Sequence, residues 1–330
     1  MSTLTIPKLA SQLIFRPIVI SMNSLALSSL MSYVMSANGN IDWRSVCSLV
    51  YYQRISLIQL SSQITICVAS DILAMGADHL KDKEEEFLSD RKNAYDPRLA
   101  SWFVYARIFL TASAVLLALT LSLCPLSTLL TTAAVLAPAL LWNIPISFNM
   151  FGLISRHLLG RFVKDSHHQP STPPPTLVIK RVPGMKAIFS GVIRGCGIYA
   201  IVLSVLSGSG NLADTLPSPW STAQLIVWST VNRSCHAAMN DVRDFDDDLK
   251  AGVPTIPVLL RSVRKTKVIL TACHMLVMLA FIENQYIIGS CLFATALVWI
   301  LDKHSPKKAF LLGSHSQSLF IIWYFLTRNT

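Results

Sequence analysis

An acidic run with the sequence NDVRDFDDD interrupts an otherwise apolar chain. On a helix of about 100° per residue, Asp244 and Asp248 fall about 60° and about 20° from Asp241, which predicts three carboxylates on one helix face. Asp246 and Asp247 point elsewhere and are expected in solvent. Like charges so close repel one another unless a cation neutralises them. The run therefore indicates either a site for a hard cation or a solvated helix end.

A second acidic group precedes it in the segment SDILAMGADHLKD. Steps of 7 and 11 residues place Asp78 and Asp82 about 20° on either side of Asp71, as a narrow stripe on one helix. Asp71 also falls inside an apolar segment, where an ionisable side chain is a functional hypothesis by default. The stripe thus predicts a second carboxylate cluster at the end of a membrane helix.

Carboxylates in such clusters suit Mg²⁺, which commonly binds one or two protein carboxylates together with substrate phosphates. Two facing clusters could hold a diphosphate through Mg²⁺, with an apolar bundle for its hydrocarbon tail. The residues predicted to hold the metal and to serve catalysis are Asp78, Asp82, Asp241, Asp244 and Asp248. A cation transporter also places acids near membrane helices and stays an alternative.

The elements that must position these acids are membrane helices. The chain is 52% hydrophobic and 14% charged, with a mean hydropathy of +0.50, which indicates a polytopic membrane protein. We expect a single all-α domain over 1–330, a bundle of about nine transmembrane helices. The apolar segments are 12–36, 55–78, 99–121, 126–150, 183–206, 219–240, 266–284, 285–302 and 309–327. A proline-rich loop is expected at about 165–178.

The formal charge of +10 is mostly a topology signal, because 20 of the 28 basic residues lie on alternate loops. These predicted loops are 79–98, 151–186, 241–267 and 303–308. The positive-inside rule places them, the N-terminus and both acidic clusters on the cytosolic side. No base-reading module accompanies the basic residues, so we expect no nucleic-acid partner. The seven cysteines lack the spacing of a zinc site or a disulfide framework.

Basic side chains at the mouth of the bundle are candidates to share the charge of a diphosphate. They are Lys180, Arg181, Arg91 and Arg98, each of which could instead only set topology. Arg194 lies inside the predicted fifth span, where a charge is costly without a partner. It is expected to face the diphosphate or to form a structural salt bridge. His236, one turn before the acidic run, could be a base or an ordinary hydrogen-bonding residue.

The run NDVRDFDDD, with the following Gly252-x-x-Thr255-x-Pro257, resembles the second aspartate-rich motif of the UbiA superfamily of intramembrane prenyltransferases. The segment LVIKRVPGMKAIF is similar to the entry into the fifth helix of that superfamily. The first motif departs from its NDxxDxxxD pattern. Aligned on Asp78 and Asp82, it has Ala74 in place of asparagine, and a shifted alignment uses Asp71 and Asp78.

The stretches DHLKDKEEE, KRVPGMK and NDVRDFDDDLKAGVPTIPV most resemble the fungal UbiA-type membrane sesquiterpene cyclases. That resemblance implies Mg²⁺-dependent ionisation of farnesyl diphosphate and cyclisation to a bergamotene-type hydrocarbon. It also implies substrate binding by Asn240 and an endoplasmic reticulum location. A prenyltransferase acting on an aromatic or lipid acceptor shares the same ionisation motifs, so both reactions stay open.

Overall fold

The computed structural model describes residues 5–37, 54–89, 97–140, 146–147, 176–177 and 182–328. These residues form helices, apart from short connections and one antiparallel pair of two-residue strands, β1 (Ile146–Ser147) and β2 (Thr176–Leu177). The expected proline-rich loop lies outside the described residues, except where it overlaps β2.

The first five helices are α1 (Ile6–Ala10), α2 (Arg16–Met35), α3 (Arg54–Ser89), α4 (Pro97–Ser122) and α5 (Leu126–Leu140). The next four are α6 (Met185–Val192), α7 (Ile198–Gly208), α8 (Thr222–Arg243) and α9 (Phe245–Ala251). The last four are α10 (Ile256–Leu259), α11 (Val263–Ala280), α12 (Gln285–Ile300) and α13 (Phe310–Thr327). Single π-helical turns, Ser11–Phe15 and Ile193–Gly197, join α1 to α2 and α6 to α7.

The bundle carries apolar side chains outside and many polar ones inside. Leu119, Ile300 and Leu326 are more than half exposed, whereas Ser28 and Gln317 are fully buried. Such an outer surface suits lipid, since soluble monomers rarely expose contiguous apolar patches of this extent. The interior serine, asparagine and glutamine side chains are typical of packed membrane helices.

Each predicted apolar segment contains a helix, but fewer of these helices combine the length and the apolar composition that crossing a membrane requires. Within the described residues, three helical stretches are long and apolar enough to cross a membrane: Ile6–Met35, Arg98–Ser122 and Met185–Gly208. Leu126–Leu140 and Gln285–Ile300 are apolar but shorter. The count of nine spans is therefore not confirmed and stays a prediction.

The predicted loop 79–98 is wrong over its first half, because α3 continues to Ser89. Its residues KDKEEE are good helix formers, and they make charge pairs at helical spacing. Lys81 lies 4.0 Å from Glu85, and Lys83 pairs with Glu86. The first acidic cluster therefore sits within one continuous helix and not at its end.

Glycines bring α6 and its π-helical turn close to α8. A Cβ built on Gly195 would lie 2.6 Å from the Cα of Thr230, and one on Gly191 would lie 2.5 Å from the Thr230 carbonyl oxygen. Small residues allow such backbone contact between membrane helices. This contact fixes the start of α6 beside the end of α8, where the second acidic cluster lies.

Candidate functional site

The second acidic motif spans a break between two helices, so the predicted single helix face over 241–248 is wrong. Helix α8 ends at Arg243, Asp244 has φ −94° and ψ 11°, and α9 begins at Phe245. Arg243 Nε donates to Asp244 Oδ1 at 2.8 Å, and its Nη2 donates to the other carboxylate oxygen. This local ion pair stabilises Asp244 at the break.

The residues after the acidic run turn the chain back towards the bundle. Gly252 ends α9 in the left-handed conformation, with φ 65°, which favours glycine. Thr255 then precedes α10, and Pro257 occupies its first turn, where the missing N–H costs nothing. Gly184 N donates to the Pro254 carbonyl oxygen at 3.0 Å, so this turn contacts the entry of α6. Two segments distant in sequence thereby lie side by side.

The three carboxylates of the motif gather around Lys186, the second residue of α6. Lys186 Nζ lies 2.5 Å from Asp241 Oδ1, and Asp241 is completely buried. Lys186 also attracts Asp248 and Asp244 electrostatically. Sequence reasoning did not select Lys186 as a site residue, although it lies in the KRVPGMK segment that carries the resemblance. Asp246 and Asp247 are exposed, as expected.

Two buried carboxylate oxygens in this cluster are left without a hydrogen-bond partner among the described residues. They are Asp241 Oδ2 and Asp248 Oδ2. Burial raises the pKa of Asp248 above its ordinary value. Lys186 and the neighbouring Thr255 hydroxyl oppose the rise, and Asp244 adds to it. Unpartnered buried oxygens are rare in proteins and call for an explanation such as a bound ion. Their chemistry fits a hard cation.

Arg16, at the start of α2, brings a third positive charge to the cluster. It interacts electrostatically with Asp244 and Arg243. Arg16, Lys186 and Arg243 thus come from three separate elements to one group of acids. Their spacing along the chain gives no signal of this meeting, which depends on the packing of the helices.

The first acidic motif is arranged differently. Asp78 is half-buried and Asp82 is exposed, both on α3. In the part of the chain that the structure describes, no three histidine, cysteine, aspartate or glutamate side chains form a group that could hold a metal ion. This holds for each acidic motif and for the two together, so the predicted metal site over Asp78, Asp82, Asp241, Asp244 and Asp248 stays a prediction.

Asp71 lies deeper in the bundle and is bound by protein groups. Arg194 Nε and Nη2 donate to Asp71 Oδ1 at 2.9 Å and 2.7 Å. Ser24 Oγ donates to Asp71 Oδ2 at 2.7 Å. Arg194 lies in the π-helical turn between α6 and α7, a feature frequent at functional sites. Arg194 was expected either to face the diphosphate or to form a structural salt bridge, and in the structure it forms a salt bridge with Asp71.

The remaining predicted substrate-binding residues divide into two groups. Arg91, Lys180 and Arg181 lie outside the described residues. Arg98 is exposed at the start of α4, and Asn240 Nδ2 lies 3.0 Å from His236 Nε2. The structure thus places Asn240 beside the acidic cluster, facing a histidine.

Residues 174–320, which include α6 to α12, match the model of the UbiA prenyltransferase family. None of the curated proteins matches the chain.

Solved structures match over almost the whole chain. An apo UbiA homologue from Aeropyrum pernix K1 is 14% identical, with a TM-score of 0.56, and covers 95% of this chain and 98% of its own. A UbiA homologue from Archaeoglobus fulgidus bound to GPP and Mg²⁺ is 14% identical, with a TM-score of 0.52, and the match covers 98% of this chain and 100% of the homologue. A UbiA homologue from the same organism bound to DMAPP and Mg²⁺ is 13% identical, with a TM-score of 0.51, and the match covers 97% of this chain and 98% of the homologue.

These identities show a shared fold and nothing finer. The chain has a UbiA-like all-α fold, and the part that matches the model of the UbiA prenyltransferase family carries the second acidic motif and Lys186.

Proposed function

We propose that this protein is a Mg²⁺-dependent membrane enzyme that ionises an isoprenyl diphosphate. The observation that carries the proposal is the pair of buried, unpartnered oxygens on Asp241 and Asp248. Both carboxylates interact with Lys186, in a helix bundle with an apolar outer surface. The Archaeoglobus homologue binds GPP or DMAPP together with Mg²⁺, which supports the same ligand class here.

Asp241, Asp244 and Asp248 would hold Mg²⁺ on one side of the diphosphate, and Asp78 and Asp82 on the other. When bound, Mg²⁺ supplies Lewis-acid stabilisation of the leaving diphosphate. We further propose that Lys186 acts with Arg91, Arg98, Lys180 and Arg181 as cations that share this charge. Asn240, next to Asp241, would help to bind the substrate at this diphosphate site. Arg194 would act indirectly, because it fixes Asp71 and α3.

The substrate proposed is farnesyl diphosphate, and the product a cyclic sesquiterpene hydrocarbon of the bergamotene type. The bond between C1 and the diphosphate oxygen breaks, and its electron pair leaves with diphosphate. A double bond of the same chain captures the cation, and a proton is lost to form the final alkene. The resemblance of DHLKDKEEE and NDVRDFDDDLKAGVPTIPV to the fungal cyclases supports this choice over other reactions.

A prenyltransferase is the second candidate, favoured by the match of residues 174–320 to the UbiA prenyltransferase family. In that reaction an aromatic or lipid acceptor captures the same cation. Either enzyme would lie as a single multi-pass domain in the bilayer. We place it in the endoplasmic reticulum, with the N-terminus and the diphosphate site on the cytosolic side.

The test is to incubate the full chain, purified in lipid nanodiscs, with farnesyl diphosphate and Mg²⁺ but no acceptor. Diphosphate release and a cyclic C15 hydrocarbon are expected, and both should stop on chelation of Mg²⁺. Turnover only with an added acceptor would exclude the cyclase in favour of the transferase. Absence of diphosphate release under both conditions would exclude both enzymes and leave the cation transporter.

The metal site is tested by Asp78→Ala and Asp244→Ala, each expected to abolish turnover while folded protein remains in the membrane. Asp247→Ala is the matched control, because Asp247 belongs to the same run but is exposed. Near-normal activity of both Asp78→Ala and Asp244→Ala would contradict the proposed site.

A further inference from the structure

Helix α11 carries one continuous exposed apolar face. Its members are each more than a third exposed: Val268, Ile269, Ala272, Met275, Leu276 and Leu279. At about 100° per residue they fall within an arc of about 120° on the helix. From Val268 to Leu279 this face is about 17 Å long, close to the thickness of one leaflet of the hydrocarbon core, about 15 Å. The face therefore suits contact with the acyl chains of a single leaflet.

Exposed cations lie at the start of this apolar face. On the same helix, Lys265 falls near the middle of the arc and Arg264 about 20° outside its edge. Lys265 precedes Val268 by three residues, about 4.5 Å along the axis, which puts it just beyond the apolar face. Arg261 is also exposed and precedes the helix by two residues. The three cations thus lie where the headgroups of the same leaflet would be.

The protein neutralises only the cation on the opposite side of α11. Lys267 is buried, and its Nζ lies 3.6 Å from Asp302 Oδ1. In the described part of the chain, Arg261, Arg264 and Lys265 form no salt bridge. The first turn of α11 contains no acidic residue, and the helix dipole opposes cations at this end. The charge of these three residues is therefore left for an anion outside the chain.

We propose that Arg261, Arg264 and Lys265 bind the headgroup phosphates of anionic glycerophospholipids, whose acyl chains lie on the exposed face of α11. The choice of lipid follows from the two adjoining parts of the surface. A soluble anion would contact the cations alone, whereas a phospholipid contacts the cations through its headgroup and the apolar face through its chains. A net negative headgroup is required, because a zwitterionic one carries its own balancing cation.

This lipid surface is joined to the turn that follows the second acidic motif. Arg261 N donates to the Val258 carbonyl oxygen at 3.1 Å, and Ser262 N donates to that of Pro257 at 3.2 Å. Both acceptors belong to α10, which follows directly on the turn that contacts the entry of α6 at Gly184. Bound headgroups would therefore hold this turn at the membrane surface. The binding does not depend on any reaction, so it can be measured without substrate.

The test measures lipid binding to the full chain in a nonionic detergent by native mass spectrometry. The probes are phosphatidylserine and phosphatidylcholine with identical acyl chains. The wild type should bind phosphatidylserine at least about tenfold more tightly, since one lysine or arginine beside an anionic membrane surface contributes about fivefold. The triple variant Arg261→Gln, Arg264→Gln, Lys265→Gln should lose this preference. Inorganic phosphate at the same concentration should not displace phosphatidylserine.

The matched control is the triple variant Lys81→Gln, Lys83→Gln, Arg107→Gln. It removes the same number of charges, but each of these cations is paired with a glutamate. It should keep the preference of the wild type. An equal loss in the control would show that only net charge matters and would overturn the assignment. Displacement by inorganic phosphate would overturn the lipid as the ligand.

The wild type alone also decides the question if the first triple variant does not fold. Its preference for phosphatidylserine should fall at least about threefold as NaCl rises from about 50 to about 500 mM, because salt screens exposed charges. Equal affinity for the two lipids at low salt, or a preference that salt does not change, would overturn the proposal.

Discussion

Arg194 donates two hydrogen bonds to one oxygen of Asp71, at 2.9 Å and 2.7 Å, across 123 residues of sequence. Ser24 binds the other oxygen, so the carboxylate joins α2, α3 and the π-helical turn before α7. Both charged side chains are largely buried. This triad fixes α3, which carries Asp78 and Asp82, to the π-helical turn that packs against α8 at Thr230.

Replacing Arg194 with methionine should destabilise the protein by about 3 kcal/mol, because it leaves a buried carboxylate without its cation. Thermal unfolding in detergent measures the loss. Arg107→Met is the matched control: Arg107 lies 2.6 Å from Glu84, but the pair is exposed and should cost below about 1 kcal/mol. Equal stability of the two variants, with activity lost only in Arg194→Met, would instead indicate a direct role in substrate binding.

Replacing Lys186 with methionine should lower kcat/KM for the isoprenyl diphosphate by at least about tenfold and change the Mg²⁺ dependence. The reason is that Asp241 is completely buried and Lys186 is the cation at its Oδ1. Titration of activity with Mg²⁺ measures the effect. Lys303→Met removes a lysine that pairs with exposed Asp246, 3.0 Å away, and should leave both quantities nearly unchanged. Identical behaviour of the two variants would refute the role of Lys186.

Gly195→Ala should destabilise the protein by about 2 kcal/mol or more through overpacking. Its Cβ would lie 2.6 Å from the backbone nitrogen and Cα of Thr230, which cannot move without shifting α8. Gly76→Ala is the control, because its Cβ would meet only the side chain of Leu110, at 2.4 Å, which can rotate. Thermal unfolding of both variants tests the contrast. A smaller loss of stability in Gly195→Ala than in Gly76→Ala would show that α6 and α8 can move apart at little cost in free energy.

Asp248→Asn should raise the melting temperature at pH 7 while it abolishes turnover. Burial raises the pKa of Asp248, so its ionisation costs stability. This penalty is complete above the folded-state pKa and disappears as the pH falls below the unfolded-state value. The stabilisation should therefore vanish at acidic pH. Asp247→Asn, at an exposed position, should change neither quantity. A lower melting temperature for Asp248→Asn at pH 7 would show that the charged carboxylate stabilises the fold.

Helix location and the solvent exposure of Asp246 and Asp247 were predictable from the sequence, because apolar length and helical periodicity are local properties. The break at Asp244 was not, since it depends on the Arg243 ion pair and on the turn at Gly252. The residues that pair across different helices were also not predictable from the sequence. Lys186 and Asp241 are 55 residues apart, and no periodicity relates residues on different helices.

The length of α3 shows a different limit of prediction from the sequence, the position of a helix end. Charged residues after an apolar segment predict the start of a loop, because a membrane helix is expected to end near the interface. The run KDKEEE instead continues the helix beyond the apolar segment. Its salt bridges at helical spacing, including Lys81–Glu85 at 4.0 Å, are local and could have been recognised.

The three cations around the second acidic cluster have a consequence for how the protein matures. Lys186, Arg243 and Arg16 balance the charge of Asp241, Asp244 and Asp248 from within the chain. Membrane insertion and folding can then be completed before any divalent ion arrives, unlike in small metal-dependent domains. Metal supply would then control the proposed enzymatic activity and not the formation of the folded protein.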